Sequence, residues 1–236
     1  MKKKILGQRL MIEIRHGTKK YGSQTIFEGI LLSFEKGNYY TLTGPNGSGK
    51  STLLSCLLGQ EALSQGEILL DGKAAGVQHA QYSKKVFGLN DSIGWLPGLT
   101  VGQHLELIIR NRNNFQRENL LDRPLLGAKE ALQKLKIPQA YAREPHMLSS
   151  GQEQRARLAS LLIRPANYYF LDEPEKRLDV EGVEWIATWI QARVKEGAMV
   201  CIATHASRLN SLAGAHNINF PLNNLDSGYF SQESDA

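Results

Sequence analysis

The segment Gly44-Pro45-Asn46-Gly47-Ser48-Gly49-Lys50-Ser51 constrains this chain more than any other stretch. Its spacing, G-x-x-x-x-G-K-[ST], has meaning only between a strand and a helix. Tyr39 to Thr43 supplies a short β-prone run before it, and Thr52 to Leu58 reads as the helix after it. The glycines let backbone N–H groups turn inward around phosphate oxygens, and the helix N-terminus adds the positive end of its dipole. In that setting Lys50 reaches the β- and γ-phosphates and the Ser51 hydroxyl ligates Mg²⁺. A random chain of this length would carry the spacing by accident roughly once in a hundred. The strand–loop–helix context lowers those odds again, so the segment points to a bound nucleotide.

The remaining pattern is that of an α/β protein. Gly66-Glu67-Ile68-Leu69-Leu70-Asp71-Gly72 reads as a strand of a hairpin, while Met11–Ile14 and Ile26–Phe34 are weaker strand candidates. From Val101 to about Arg110, and again over Ala128, Ala131, Leu132 and Leu135, apolar residues fall at helical spacing. Tyr168–Leu171 and Met199–Thr204 are apolar runs next to helical segments, which indicates a parallel sheet covered on both faces. The 236 residues are 42% hydrophobic and 22% charged, a globular rather than a disordered composition. No apolar run approaches the ~20 residues of a membrane span. Lys2 to Lys4 are followed too soon by Gly7, Gln8 and Arg9 for a secretory signal. Cys56 and Cys201 match no metal or redox spacing and read as free thiols of a cytoplasmic protein. The net charge of +5 is scattered; it suits acidic ligands, and no nucleic acid partner is expected.

Further along lie Leu148-Ser149-Ser150-Gly151-Gln152, then Glu153-Gln154-Arg155 and a helix through Ile163, then Tyr168-Tyr169-Phe170-Leu171-Asp172-Glu173-Pro174. With the phosphate loop, this order of motifs resembles the ATP-binding-cassette (ABC) ATPases, from about Met11 to His216. The family signature L-S-G-G-Q is present with Ser150 in place of the first glycine. The resemblance implies one cassette over residues 1–236. Its fold would be a P-loop NTPase with a RecA-like parallel-sheet core and an antiparallel β subdomain. A helical signature subdomain at about 92–164 would be inserted, and a polar tail would begin near 221.

It also implies the site. ATP would lie against Gly44 through Thr52, including Pro45, Asn46, Gly47, Ser48, Gly49, Lys50 and Ser51, with Tyr21 stacked on adenine; a tyrosine packed at a strand end is the alternative. Ser51 and Asp172 would hold Mg²⁺, Glu173 would be the catalytic base, and His205 the switch histidine beside the γ-phosphate. Leu148 to Gln152 would face the ATP of a second ABC subunit, and Asp179 would communicate across that dimer. His16, His79, His104, His146 and His216 sit in no such context and read as surface or packing residues. Transport would run through a separate integral membrane subunit, with this chain peripheral on the cytoplasmic face. Trp95, Leu96, Pro97 and Leu99 either dock that partner or pack the helical subdomain. A soluble ABC ATPase of an assembly machine, such as iron–sulfur cluster biogenesis, is the alternative function.

Beyond Ser150, the chain departs from the family pattern in two further places. Where it usually has a glutamine, counting back from Leu99-Thr100-Val101 gives Asp91, and a one-residue gap gives Asn90. An aspartate reaches less far than glutamine but carries charge for Mg²⁺. Glu175-Lys176-Arg177, ahead of Leu178-Asp179, replaces the usual small polar residues. Lys176 and Arg177 would pair with the partner or remain solvated.

Overall fold

The computed structural model describes residues 11–75, 80–90, 94–112 and 126–222. Asp91, His79, the N-terminal basic segment and the polar tail beyond Leu222 lie outside them. Five parallel strands form the central sheet: β3 (Tyr39–Thr43), β6 (Val86–Leu89), β7 (Tyr168–Asp172), β8 (Met199–Ala203) and β9 (Ala215–Asn219), in the order β6-β7-β8-β3-β9. A second, antiparallel sheet in the order β2-β1-β4-β5 holds β1 (Met11–Tyr21), β2 (Gln24–Glu35), β4 (Gln65–Leu70) and β5 (Lys73–Ala74). The β4–β5 hairpin turns at Asp71-Gly72, both residues with positive φ (52° and 75°), as the Asp-Gly pair anticipates.

The central strands alternate between two cores. Tyr169, Leu171, Val200 and Ile202 face the cluster holding Leu158, Leu161, Ile186 and Ile190. Those last four come from α5 (Ser150–Ile163) and α6 (Val180–Lys195). Tyr168, Phe170, Met199 and Cys201 face the other cluster, with Leu53, Leu54 and Leu57 of α1 (Lys50–Leu57) and Ile12, Ile14 and Phe34 of the antiparallel sheet. This two-sided burial explains why β7 and β8 read as unbroken apolar runs. Phe170, fully buried, meets Phe34 edge to face at 5.9 Å and joins the two sheets. Phe170→Ala is expected to cost about 3–5 kcal/mol of unfolding free energy in a urea titration. A loss below about 1 kcal/mol would show that the two sheets do not depend on this contact.

The helical subdomain comprises α3 (Val101–Arg112), α4 (Ala128–Lys134) and α5, packed through Val101, Leu105, Ala131, Leu132 and Leu135. Two shorter α-helices, α2 (Ala80–Lys85) and α7 (Ser207–Asn210), and two 3-10 helices, Pro138–Ala142 and Pro145–Met147, complete the described elements. Neither these nor β9 stands out in the sequence. β9 is a polar edge strand, Ala-His-Asn-Ile-Asn, held to β3 partly by side-chain bonds of Thr41 to Asn217 and Thr43 to Asn219. Both cysteines are buried, and burial pushes the Cys56 thiol up to about 11 and raises that of Cys201 too.

Candidate active site at the carboxyl edge of the parallel sheet

Parallel strands end on the same side, so β3, β7 and β8 deliver their following loops to one edge. The loop after β3 is Gly44–Gly49. Gly44 (φ 134°) lies so close to Phe220 that an added Cβ would stand 2.4 Å from its carbonyl oxygen, and one on Gly49 (φ 105°) would stand 2.7 Å from Ile26. Both therefore require glycine on backbone and steric grounds. Helix α1 begins at Lys50, two residues earlier than its apolar pattern suggests. The Lys50 side chain folds back over the loop: its Nζ donates to the carbonyls of Gly44 (2.8 Å) and Pro45 (2.9 Å). The Ser48 Oγ is buried with no hydrogen-bond partner. A buried cation and an unsatisfied hydroxyl in one glycine loop are the donor set for phosphate oxygens.

The loop after β7 begins with Asp172 at the strand end and Glu173 immediately beyond it. Glu173 has φ 44° and donates its N–H to the Ala203 carbonyl of β8 at 2.9 Å. Its carboxylate is one-third exposed and meets two nitrogen-bearing side chains: His205 Nε2 lies 3.7 Å from Oε1, and Lys176 Nζ 3.5 Å from Oε2. Lys176 thus turns toward Glu173 of its own chain. His205 lies two residues beyond β8, after Thr204, and its side chain is half-exposed.

The segment Leu148–Gln152 starts α5. Ser149 is the N-cap: its Oγ accepts from the Gln152 N–H (3.3 Å), and Gln152 Oε1 accepts from the Ser149 N–H (3.2 Å). Ser-Ser-Gly-Gln is therefore a capping box as well as a motif. Helix α5 starts at Ser150, one residue before Gly151, and a Cβ at Gly151 would press on the Arg177 carbonyl at 3.0 Å. Asp179 caps α6 by accepting from the Gly182 N–H at 2.8 Å, and it also pairs with Arg155 at 2.7 Å. These bonds, the backbone one foremost, hold its carboxyl below the usual range.

Residues 27–176 match the ABC transporter family. The cytochrome c biogenesis ATP-binding export protein CcmA of Gluconobacter oxydans is 33% identical, over 83% of this chain and 81% of its own. The chain belongs to this family. The SkfA peptide export ATP-binding protein SkfE of Bacillus subtilis is 29% identical, over 83% of this chain and 79% of its own. The solved dimeric structure of MJ0796, a bacterial ABC transporter cassette, superposes with TM-score 0.72 at 22% identity, covering 88% of this chain and 94% of that one. The cassette fold and ATP hydrolysis as the chemistry are thereby shown. The protein is an ATP-hydrolysing, nucleotide-binding subunit that powers transport.

The cassette treats its remaining sequence candidates unevenly. Tyr21 ends β1 and is 46% exposed, with its hydroxyl bonded to Glu61 and the Lys19 ammonium 4.8 Å from its ring centroid. Glu61 also pairs with Lys19 at 2.9 Å; the Tyr21 hydroxyl, then Lys19, hold its carboxyl below the usual range. Sequence inspection gives no sign of this polar bracket, because Glu61 is forty residues from Tyr21. Asn90, the one-residue-gap candidate for the missing glutamine, is buried and its amide bonds reciprocally with that of Gln60. That pairing makes Asn90 part of the packing beside β6; Asp91 lies outside the described residues. His104 is buried, bonded to Leu96 and set edge-on to Trp95. His216 stacks on Tyr40, and His146 lies beside Glu144. Trp95 packs against the core and donates to Glu153 at 3.0 Å, whereas Leu96 is largely exposed. Each of the two readings of that segment therefore claims part of it.

Proposed function

We propose that ATP is cleaved at this edge with Glu173 as the base that orients the attacking water and His205 as the switch at the γ-phosphate. The convergence of the phosphate loop, Asp172-Glu173 and His205 on one sheet edge carries this reading, with His205 and Glu173 3.7 Å apart. Lys50 and the Gly44–Ser51 backbone bind the β- and γ-phosphates, and Thr52 extends that cradle. Ser51 and Asp172 are hard oxygen donors that suit Mg²⁺. Among the described residues no three His, Cys, Asp or Glu side chains gather as a metal cluster. Two protein oxygens supplemented by phosphate oxygens are the usual way this ion is held. When bound, Mg²⁺ neutralises charge on the phosphates.

A second cassette supplies the remaining half of each site. Leu148 to Gln152, at the capped start of α5, meets the partner's ATP, and Asp179 carries the contact across the dimer. Tyr21 stacks on the base. Tyr21→Ala is expected to weaken both ATP and GTP binding by about 1–3 kcal/mol, and Tyr21→Trp to retain it. Parent-like ATP affinity of Tyr21→Ala in calorimetry would make Tyr21 structural.

The cassette acts on the cytoplasmic face of a membrane, docked on an integral membrane subunit. Among the described residues no helix is long and apolar enough to cross a bilayer. An apolar groove of about 540 Å³, lined by Phe87, Leu89, Trp95, Leu96, Leu105 and Ile108, supports a docked partner helix. Capture of the tagged cassette from detergent-solubilised membranes is expected to bring down an integral membrane protein. Recovery of soluble partners alone would select the assembly-machine alternative.

A further inference from the structure

The loop from Asp172 to Asp179 carries two non-glycine residues with left-handed backbone, Glu173 (φ 44°) and Arg177 (φ 67°). Such conformations persist only where the surroundings over-determine them. Part of that restraint is backbone: Glu173 N–H to Ala203 at 2.9 Å, Lys176 N–H to Glu173 at 3.0 Å, and Leu178 N–H to Glu175 at 3.0 Å. From α5, Gln154 adds a bond to the Pro174 carbonyl at 2.9 Å. The outcome is a tight turn that sends the Glu175 side chain across to the loop after β8.

There, Glu175 Oε1 accepts two hydrogen bonds, one from the Thr204 hydroxyl and one from the His205 backbone N–H at 3.1 Å. Thr204 is buried, and its Oγ1 accepts in turn from the Ala206 N–H at 3.0 Å. One carboxylate oxygen thus fixes three consecutive residues centred on His205. The second, Oε2, is buried without a hydrogen-bond partner. A carboxylate held with one oxygen unsatisfied is an expensive way to fill a loop, and its other oxygen acts on the histidine's own backbone. The His205 ring is half-exposed, so packing does little to fix it; its place is set largely by the backbone that Glu175 grips.

We propose that Glu175 is a positioning residue for hydrolysis: it ties the loop bearing Glu173 to the loop bearing His205 and holds the histidine within reach of the base. This rests on His205 being the switch residue of the proposed reaction. Glu175 has no part in binding ATP, so its loss changes turnover and leaves substrate affinity alone.

The test is a double-mutant cycle of steady-state ATP hydrolysis on the full-length cassette, with variants Glu175→Ala, Glu175→Gln, His205→Ala and Glu175→Ala/His205→Ala. Removing both hydrogen bonds is expected to lower kcat about 10-fold with KM for ATP unchanged. Glu175→Gln keeps an acceptor oxygen at the same reach and is expected to stay within about twofold of the parent. In the His205→Ala background, Glu175→Ala is expected to change nothing further, because the residue through which it acts is gone. Thr204→Val, which removes one donor and keeps the carboxylate, is expected to lower kcat about threefold and serves if Glu175→Ala does not fold. Fully additive losses, or a rise in KM matching the fall in kcat, would overturn the positioning role and leave the His205 reading standing. Parent-like turnover of His205→Ala would overturn the His205 reading and the role of Glu175 with it.

Discussion

Glu173→Gln is expected to bind ATP as the parent does while steady-state turnover falls by about 10²–10⁴-fold, roughly 3–5 kcal/mol of barrier. The substitution preserves the side-chain length, and it leaves the backbone at φ 44° no worse off than glutamate does. The Glu173 N–H bond to Ala203 is a main-chain bond and survives. What disappears is the negative charge that we propose orients water, and that lies 3.7 Å from His205 and 3.5 Å from Lys176. Binding and chemistry therefore separate at this one residue. A cassette that loads ATP without consuming it should accumulate as a dimer, visible by size-exclusion chromatography in ATP and absent in ADP. Unchanged hydrolysis by purified Glu173→Gln protein would refute the assignment of the base.

The same loop shows which parts of the site a sequence can reveal. Gly44 to Ser51, Asp172-Glu173 and His205 are legible because each follows an apolar run short enough to be a buried strand. Each loop must then emerge at the same sheet edge. Tyr168–Leu171 announces itself because alternate residues enter two different cores and all four are buried. β9 has only Ile218 buried among five residues, so no periodicity marks it. Glu175 is harder still. Its role arises from Thr204 and His205, thirty residues away in sequence, and from a turn whose strained backbone no local propensity predicts. Ser149 and Gln152 show the converse: the residues are conspicuous as a motif, yet the spacing S-x-x-Q also encodes the capping of α5. The pattern that initiates the helix is thus also the segment we propose faces a partner's ATP, and the capping box already occupies the Gln152 N–H.

Lys50→Met is the decisive test of the phosphate loop, and loss of ATP binding by at least about 100-fold is expected. Lys50 is only 6% exposed, and its ammonium bonds to two carbonyls of the very loop that must open its N–H groups to phosphate. The observed role of the side chain is a staple for Gly44 and Pro45, and the proposed one is a charge for the β- and γ-phosphates. Methionine matches the aliphatic stem of lysine and fills the same space, so the surrounding core with Leu53 and Leu54 is preserved. The buried ammonium is removed along with its cost of desolvation, which offsets the lost carbonyl bonds and leaves thermal stability little changed. Phosphate binding has no such compensation, since no other side chain of the loop carries positive charge. Calorimetric titration with ATP, read beside the unfolding midpoint of the same preparation, separates the roles. Abolished binding with a parent-like midpoint establishes Lys50 as a phosphate ligand. Retained ATP affinity with a lowered midpoint would make it a loop staple and would remove the cradle from the mechanism.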